Sequence, residues 1–191
     1  YLFAGNGVFV RGKRPGLEVL MPVQRYDTPI RGLLALSPIV KIDPFPIPKD
    51  ILLSIWRQSY LARCEGSWLE ILFHLHRQGD RWQLRVPPQT QEQWQCQATE
   101  PYHDAIAEFH SHGTGAARFS ATDNTEEDGF RLYGIVGRLD SLQPEILLRI
   151  GLFGHFLVIP ASLAFDLPDF IVDAAVRDRL AYTFYTINKQ P

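Results

Sequence analysis

The chain has 191 residues and a formal net charge of -2 at neutral pH, a length that suits one domain, or a domain with an extension, and can bury a core. This near-neutral charge does not point to nucleic acid or to an anionic membrane, and no apolar run approaches the roughly 20 residues of a membrane span. Its two cysteines are too few for a disulfide scaffold. We therefore expect a cytoplasmic protein that binds neither nucleic acid nor membrane.

The first part of the chain is rich in predicted strands. Residues 1–45 contain short apolar runs between Gly and Pro, which are typical of strands with tight connections. We treat residues 1–47 as an N-terminal β-rich extension packed on a main domain of residues 48–191. In that domain, residues 49–63 have apolar side chains at helical spacing after the initiation signal Pro48, and this pattern predicts a long helix.

Strand and turn patterns fill the rest of the chain. The predicted strands cover residues 68–77, 81–86, 105–112, 131–139 and 145–154. The polar stretch 87–104 is predicted to be a loop, and a short helix is expected after Ser120, with Gly129 at its end. This order predicts a fold of the α/β (α+β) class, with a mixed β-sheet flanked by a long helix and a short helix.

The most unusual stretch is "EFHSHGTGAARFSATDNTEEDG", residues 108–129. In a strand, residues i and i+2 point to the same face, so His110 and His112 can hold both imidazoles over one point. Asp123, near the start of the short helix, can bring a carboxylate to the same point. Two His and one Asp are a ligand set for catalytic zinc, which keeps its fourth position for water.

Hydrolysis by metal-activated water also needs a base to accept a proton. Glu70 fits best, because it opens the apolar run "EILFHLH" and would face the core or the cleft. Glu65, at the end of the preceding helix, is the competitor. Ser120, three residues before Asp123, can donate a hydrogen bond to the oxyanion of a tetrahedral intermediate.

Each of these side chains also has an ordinary structural explanation. The two histidines can be partly exposed strand residues, and Glu70 can be a strand-edge charge. Ser120 and Asp123 can be helix caps, since Asp123 and Glu126 make a passable capping box. The combination of all four features in one chain favours a metal site over the structural explanations taken singly.

Three further features carry less chemistry. His74 and His76 form a second His-x-His, but no acid follows at a useful spacing, so we predict a structural or cleft-lining role. Nothing marks Cys64 or Cys96 as an activated thiol. Trp94, within the polar stretch, is a candidate for touching a partner.

The stretch "HSHGTGAARFSATD" resembles the JAMM (MPN+) metalloprotease motif, in which His-x-His is followed by Ser-x-x-Asp and preceded far upstream by a glutamate. "GSWLEILFHLHR" resembles the glutamate segment of that family. "FSATDNTEEDGFRLYGIVGRLD" and "LLRIGLFGHF" are more similar still to bacterial JAB/Mov34 proteins of the PRTRC-system protein A type. The resemblance covers residues 48–160 by the order of elements.

The resemblance implies a site and an activity. His110, His112 and Asp123 would bind Zn²⁺, Glu70 would be the general base, and Ser120 would stabilise the oxyanion. The family hydrolyses peptide or isopeptide bonds, often beside the C-terminal tail of a ubiquitin-like protein. The implied partner is therefore a protein or peptide substrate, with a ubiquitin-like conjugate as one candidate.

Two positions depart from the eukaryotic members of the family. Gly113 stands where they usually have proline, which is expected to loosen the loop, and Phe73 replaces a small glycine, which is expected to narrow the cleft. Two other functions stay open. One is a non-catalytic MPN-like scaffold that binds partners, and the other is a zinc hydrolase of a small amide, which a narrow cleft behind Phe73 would favour.

Overall fold

Short strands, mostly antiparallel, make up most of the fold. The computed structural model of the protein describes residues 1–64 and 66–187. The strands are β1 (Leu2–Ala4), β2 (Gly7–Arg14), β3 (Leu17–Arg25), β4 (Ile39–Ile42), β5 (Arg63–Cys64), β6 (Ser67–Trp68), β7 (Leu72–Gln78), β8 (Arg81–Arg85), β9 (Gln89–Gln91), β10 (Cys96–Ala98), β11 (Ala107–Ser111), β12 (Arg131–Gly137), β13 (Glu145–Leu152), β14 (His155–Ile159), β15 (Val172–Asp173) and β16 (Phe184–Thr186). The helices are α1 (Lys49–Leu61), α2 (Ala121–Glu126) and α3 (Ala174–Arg177), with a 3-10 turn at Ala161–Leu163.

The largest sheet has the strand order β16-β14-β13-β12-β11-β7-β8, with β15 paired to β13. β11 and β12 are parallel, whereas β7, β13 and β14 run antiparallel to their neighbours in this order. Parallel neighbours need a crossover connection across one face of the sheet, and here that connection contains α2. The expected α+β fold with a mixed sheet is confirmed.

One face of this sheet is the apolar core. Successive side chains of a strand point to opposite faces, and Phe73, Phe109 and Leu148 are fully buried on the core face. Leu52 and Ile55 of α1 are fully buried in the same cluster, which explains the helical spacing of apolar residues in this segment. The helix predicted over 49–63 is thus confirmed, although it ends at Leu61.

The N-terminal strands form a separate sheet in the order β1-β2-β3-β4. Its neighbouring strands are all antiparallel. Leu17, Val19 and Met21 of β3 are buried in the same cluster as the core of the large sheet. The division of the chain into 1–47 and 48–191 stays a prediction.

The loop predicted over residues 87–104 is wrong in part. β9 and β10 pair there as an antiparallel hairpin, in which Thr90 faces Gln97. Its turn is closed by the N–H of Glu92, which donates to the carbonyl oxygen of Gln95 over 2.8 Å. This hairpin has polar side chains on both faces, so main-chain hydrogen bonds form it without the apolar alternation that marks a strand in a sequence.

No helix within the described ranges is long and apolar enough to cross a membrane.

Gly134 on β12 tests the packing of the core face. It pairs with Phe109 on one side and Leu148 on the other, and an added Cβ would lie 2.1 Å from a Phe109 ring carbon and 2.8 Å from a Leu148 methyl carbon. We expect Gly134→Ala to lower the free energy of unfolding in urea by about 1–3 kcal/mol.

The matched control is the double variant Gly134→Ala/Phe109→Leu. Because the smaller side chain makes room for the new methyl group, the double variant should lose less stability than the sum of the two single variants. Additive losses would contradict the contact.

Candidate metal centre

Three side chains with metal-binding atoms converge where β11 ends. The Nε2 atoms of His110 and His112 lie 3.0 Å apart, and Nε2 of His110 lies 3.3 Å from Oδ1 of Asp123. One ligand atom from each residue lies within 4.8 Å of the other two. Tetrahedral zinc ligands at about 2.0–2.1 Å from the ion lie about 3.4 Å from one another, so this donor set fits a zinc ion.

The protonation of the two imidazoles also suits a metal. Nδ1 of His112 lies 3.2 Å from the carbonyl oxygen of Ala116. Because a carbonyl oxygen only accepts, Nδ1 carries the hydrogen and Nε2 turns a lone pair toward His110. Burial lowers the pKa of both imidazoles, and the charge of Asp123 opposes this only in part. Neutral imidazoles are the form that binds metal.

Asp123 reaches the histidines because α2 starts at Ser120. The Ser120 hydroxyl oxygen accepts from the N–H of Asp123 over 3.1 Å, and Oδ2 of Asp123 accepts from the N–H of Ser120 over 2.5 Å. This is the capping box, so the box expected between Asp123 and Glu126 is wrong. Oδ2 caps the helix while Oδ1 faces His110, and the capping role therefore does not exclude a ligand role.

The charge on Asp123 is favoured by its surroundings. Burial acts to raise the pKa of this carboxyl group, but the nearby His110 and the hydrogen bonds with Ser120 outweigh burial and lower the pKa. The carboxylate form is the one that binds a metal ion. All three side chains are thus in the state that a cation requires.

Glu70 lies in the same pocket as the three side chains. The pocket has a volume of about 280 Å³, and its walls include Glu70, His110, His112, Ser120 and Asp123. Burial, and then the charge of Asp123, raises the pKa of Glu70 to about 8. A carboxyl group with a pKa near the working pH can both accept and release a proton. Five residues named from the sequence therefore share one pocket.

The competing base, Glu65, lies outside the residues that the structure describes.

Ser111, between the two histidines, ties this strand to the segment that carries Glu70. Its buried hydroxyl accepts from the N–H of Ile71 over 3.1 Å, and its own N–H donates to the carbonyl oxygen of Ile71 over 3.2 Å. Ile71 follows Glu70 directly, so the two bonds fix Glu70 relative to His110. Ser111 was not apparent from the sequence, because its side chain faces away from the two imidazoles and carries no metal-binding pattern.

The β9–β10 hairpin holds the same segment from the other side. The N–H of Glu70 donates to the carbonyl oxygen of Glu92 over 2.8 Å. The side-chain amide of Gln89 accepts from the N–H of Leu72 over 2.7 Å and donates to its carbonyl oxygen over 3.0 Å. Gln89 thus replaces a neighbouring strand at this position.

The turn of the hairpin covers part of the pocket. Trp94, Gln95 and Cys96 line the pocket, and Nε2 of Gln95 donates to Oε1 of Glu126 over 3.4 Å. This bond joins the hairpin to α2 across the pocket. Burial raises the pKa of the Cys96 thiol, so this thiol stays protonated and nothing marks it as a nucleophile.

The two expectations about the eukaryotic departures are wrong. Phe73 is fully buried in the apolar core, on the opposite face from the pocket, and Leu72 lines the pocket instead. Gly113 is buried at a φ of 52°, where an added Cβ would lie 2.8 Å from Cβ of Trp68. Gly113 is therefore a tightly packed turn residue and does not loosen the loop. Proline could not stand here, because proline cannot adopt this φ.

The second histidine pair belongs to a separate polar network. His74 stacks on the ring of Tyr102 with centroids 4.0 Å apart, and Nδ1 of His76 lies 3.0 Å from Oδ2 of Asp104. Burial lowers the pKa of His74 to about 4. Among the described residues, only the group of His110 is one that could hold a metal. The pair therefore has structural contacts in place of metal-binding ones.

Ser111→Ala should disturb the position of Glu70 and lower the stability of the fold. The N–H of Ile71 would lose its buried acceptor, at a cost of about 1–3 kcal/mol in the free energy of unfolding. We expect this loss in urea unfolding, whereas Ser141→Ala at an exposed position should stay within about 0.5 kcal/mol of the original protein. Equal stability of the two variants would contradict the role of the Ser111 hydroxyl.

Glu70 should give the metal-free protein a distinct pH dependence. Its pKa is raised in the folded state to about 8 from an ordinary 4.5, so stability linked to protonated Glu70 is complete below about pH 4.5 and is lost as the pH rises through about 8. Metal-free Glu70→Gln should therefore be more stable than the original protein above pH 8, by roughly 1–3 kcal/mol after screening by water in the pocket. Thermal unfolding between pH 4 and pH 9 measures the difference, and parallel curves would contradict the raised pKa.

The comparisons with known proteins agree with this geometry. Residues 55–149 match a family model described as prokaryotic homologs of the JAB domain. The matched segment runs from α1 into β13 and contains Glu70, both pocket histidines and Asp123. A comparison with curated proteins finds no match. The resemblance to the bacterial JAB type is confirmed, and residues 55–149 form a prokaryotic JAB-type domain.

Proposed function

We propose that the chain is a zinc-dependent peptidase that hydrolyses a peptide or isopeptide bond. The observation that carries this proposal is the convergence of His110, His112 and Asp123 in the pocket that also contains Glu70. Zinc held by the first three residues would supply a Lewis acid and a water with a pKa near 7. The protonation states of the three side chains support this assignment.

In this proposal, Glu70 moves the proton. Its carboxylate takes a proton from the attacking water as the water oxygen bonds to the carbonyl carbon, and it delivers that proton to the amide nitrogen as the C–N bond breaks. Ser120 accepts a hydrogen bond from the N–H of Asp123, so its own hydroxyl hydrogen remains available to donate. That donor would stabilise the negative charge on the substrate carbonyl oxygen.

The rim of the pocket supports a protein or peptide substrate. Trp94 is 77% exposed at the turn of the β9–β10 hairpin and also lines the pocket. Exposed tryptophan beside a cleft is typical of a contact with a binding partner. A ubiquitin-like conjugate is one substrate of this class.

A second candidate is a zinc hydrolase of a small amide. The observation that favours it is the contact between Gln95 and Glu126, which bridges a pocket of about 280 Å³. That volume lies near the lower end of the range for small-molecule sites, about 300–1,000 Å³. A non-catalytic scaffold is the third possibility, but the complete set of ligands with a buried base argues for a hydrolase.

Metal analysis tests the ligand assignment. The purified protein should contain about one zinc ion per chain, because three protein ligands and one water complete a catalytic site. His110→Ala and Asp123→Ala should each lose this zinc. A full complement of zinc in the double variant would refute the site.

The base is tested separately from the ligands. Glu70→Gln should keep its zinc and lose about 10²–10⁴-fold in the rate of hydrolysis, whereas Glu100→Gln, an exposed carboxylate outside the pocket, should keep both. Loss of hydrolysis in Glu65→Gln with full activity in Glu70→Gln would assign the base to Glu65.

Two sets of probes distinguish the substrate classes. A library of internally quenched peptides should be cleaved by the zinc-loaded protein and not by Glu70→Gln. Turnover of amino-acid anilides without any peptide cleavage would favour the small-amide hydrolase. Zinc binding without turnover of either set would favour the scaffold.

A further inference from the structure

The helix that carries Asp123 has no apolar anchor. α2 has the sequence ATDNTE, and none of its residues is buried. A short helix usually stays on a sheet because it buries an apolar face. The helix itself lacks that contribution, although Phe119 just before it packs on the apolar cluster of Ile135 and Leu147. Polar contacts are therefore needed to hold the side chains of α2 at the distance from the histidines that the site requires.

A buried arginine on the sheet makes these contacts. Arg149 lies in β13 opposite Tyr133, and its side chain is 0% exposed. Nε donates to Oε2 of Glu127 over 2.8 Å, and Nη2 forms an ion pair with the same oxygen at 2.6 Å. Nη1 donates to Oδ1 of Asn124 over 2.5 Å. Asn124 follows Asp123, and Glu127 is the C-cap of the helix, so one guanidinium contacts both the middle of α2 and the residue directly after it.

The same guanidinium also contacts the residue that precedes the helix. Its Cζ atom lies 3.8 Å from the ring centroid of Phe119 and 4.0 Å from that of Phe156. Phe119 comes immediately before the N-cap Ser120. Arg149 therefore contacts the chain before, within and after α2, while Nη1 also donates to the hydroxyl of Tyr185 on β16.

We propose that Arg149 is a positioning residue for the metal site: it fixes α2 on the sheet and so sets the place of Asp123 beside His110. A planar guanidinium suits this role, because its donors point in fixed directions in one plane. A lysine amine at this position cannot reach Glu127 and Asn124 with the same geometry. The effect on metal binding rests on the proposed zinc function, whereas the effect on α2 does not.

The test variant is Arg149→Met/Glu127→Gln. It removes the guanidinium without leaving a buried carboxylate unpaired, which by itself would destabilise the fold. The control is Tyr185→Phe, which removes another contact of Arg149 and leaves its bonds to α2 intact. If the test variant does not fold, Arg149→Lys replaces it, because the charge beside Glu127 is retained.

The first measurement uses the metal-free protein. Hydrogen exchange of the backbone amides of residues 121–127 should become several-fold faster in the test variant, while exchange in β11 stays unchanged. Tyr185→Phe should exchange like the original protein in both segments. Unchanged exchange in α2 of the test variant would overturn the proposal, whether or not the protein binds zinc.

The second measurement is the zinc dissociation constant, from competition with a chelator. We expect it to rise roughly 10–100-fold in the test variant, the range found when residues that orient metal ligands are changed, and to stay within about threefold in Tyr185→Phe. Faster exchange with unchanged zinc affinity would overturn the role in metal binding. If the original protein binds no zinc, the proposed function fails, and the exchange data alone decide whether Arg149 positions α2.

Discussion

The register between β7 and β11 is the constraint on which the site depends. Phe109 faces Phe73 across this pair, and His110 faces Leu72. Because side chains alternate between faces, a slip of one residue would move the imidazole into the apolar core and the Phe109 ring into the pocket. Burial of the two aromatic side chains in the core therefore also orients the imidazole of His110. The contacts that stabilise the sheet and those that specify the site are the same contacts.

The buried carboxyl groups on the pocket face of the sheet have two kinds of surroundings. Glu127 and Glu108 are both buried, and each lies beside an arginine: Arg149 at 2.6 Å and Arg131 at 3.4 Å. Such pairs contribute little net stability, but they penalise any arrangement that separates them. Burial raises the pKa of all three carboxyl groups, but an arginine opposes this rise at Glu127 and Glu108, whereas at Glu70 the charge of Asp123 adds to it. A carboxyl group kept near its protonation midpoint suits proton transfer more than structural support.

Much of the fold could be predicted from local patterns, because the spacing of apolar residues shows which side chains face the core and turn residues mark where elements end. The helix α1, the β7–β8 hairpin and the strands β11 to β13 follow from such patterns. The β9–β10 hairpin does not follow from such a pattern, because it has no apolar core of its own and its sequence therefore shows no apolar alternation. Alternation along β7 places Phe73 on the face opposite Leu72 and His74, but which of the two faces meets the core depends on pairing with a strand far along the chain.

The candidate metal-binding residues could be predicted from the sequence, whereas the residues that support them from distant parts of the chain could not. The triad of His110, His112 and Asp123 stands out because few structural roles require it. Arg149 did leave a signal, since it interrupts the apolar run "EILLRIGLFG" and a charge inside a buried strand needs a partner. That partner lies 22 residues away along the chain, so the sequence could indicate the need but not identify Glu127.

The crossover between β11 and β12 has a consequence for how such a chain can change. Parallel neighbours require a connecting segment of about a dozen residues or more, and here the segment from 112 to 130 contains His112, Ser120 and Asp123. A descendant that lost these side chains could not delete the whole segment without breaking the sheet, so it could only exchange side chains or shorten the segment toward that minimum. Descendants with and without the candidate metal-binding side chains would therefore share most of one backbone, and only the identity of a few polar atoms would separate them.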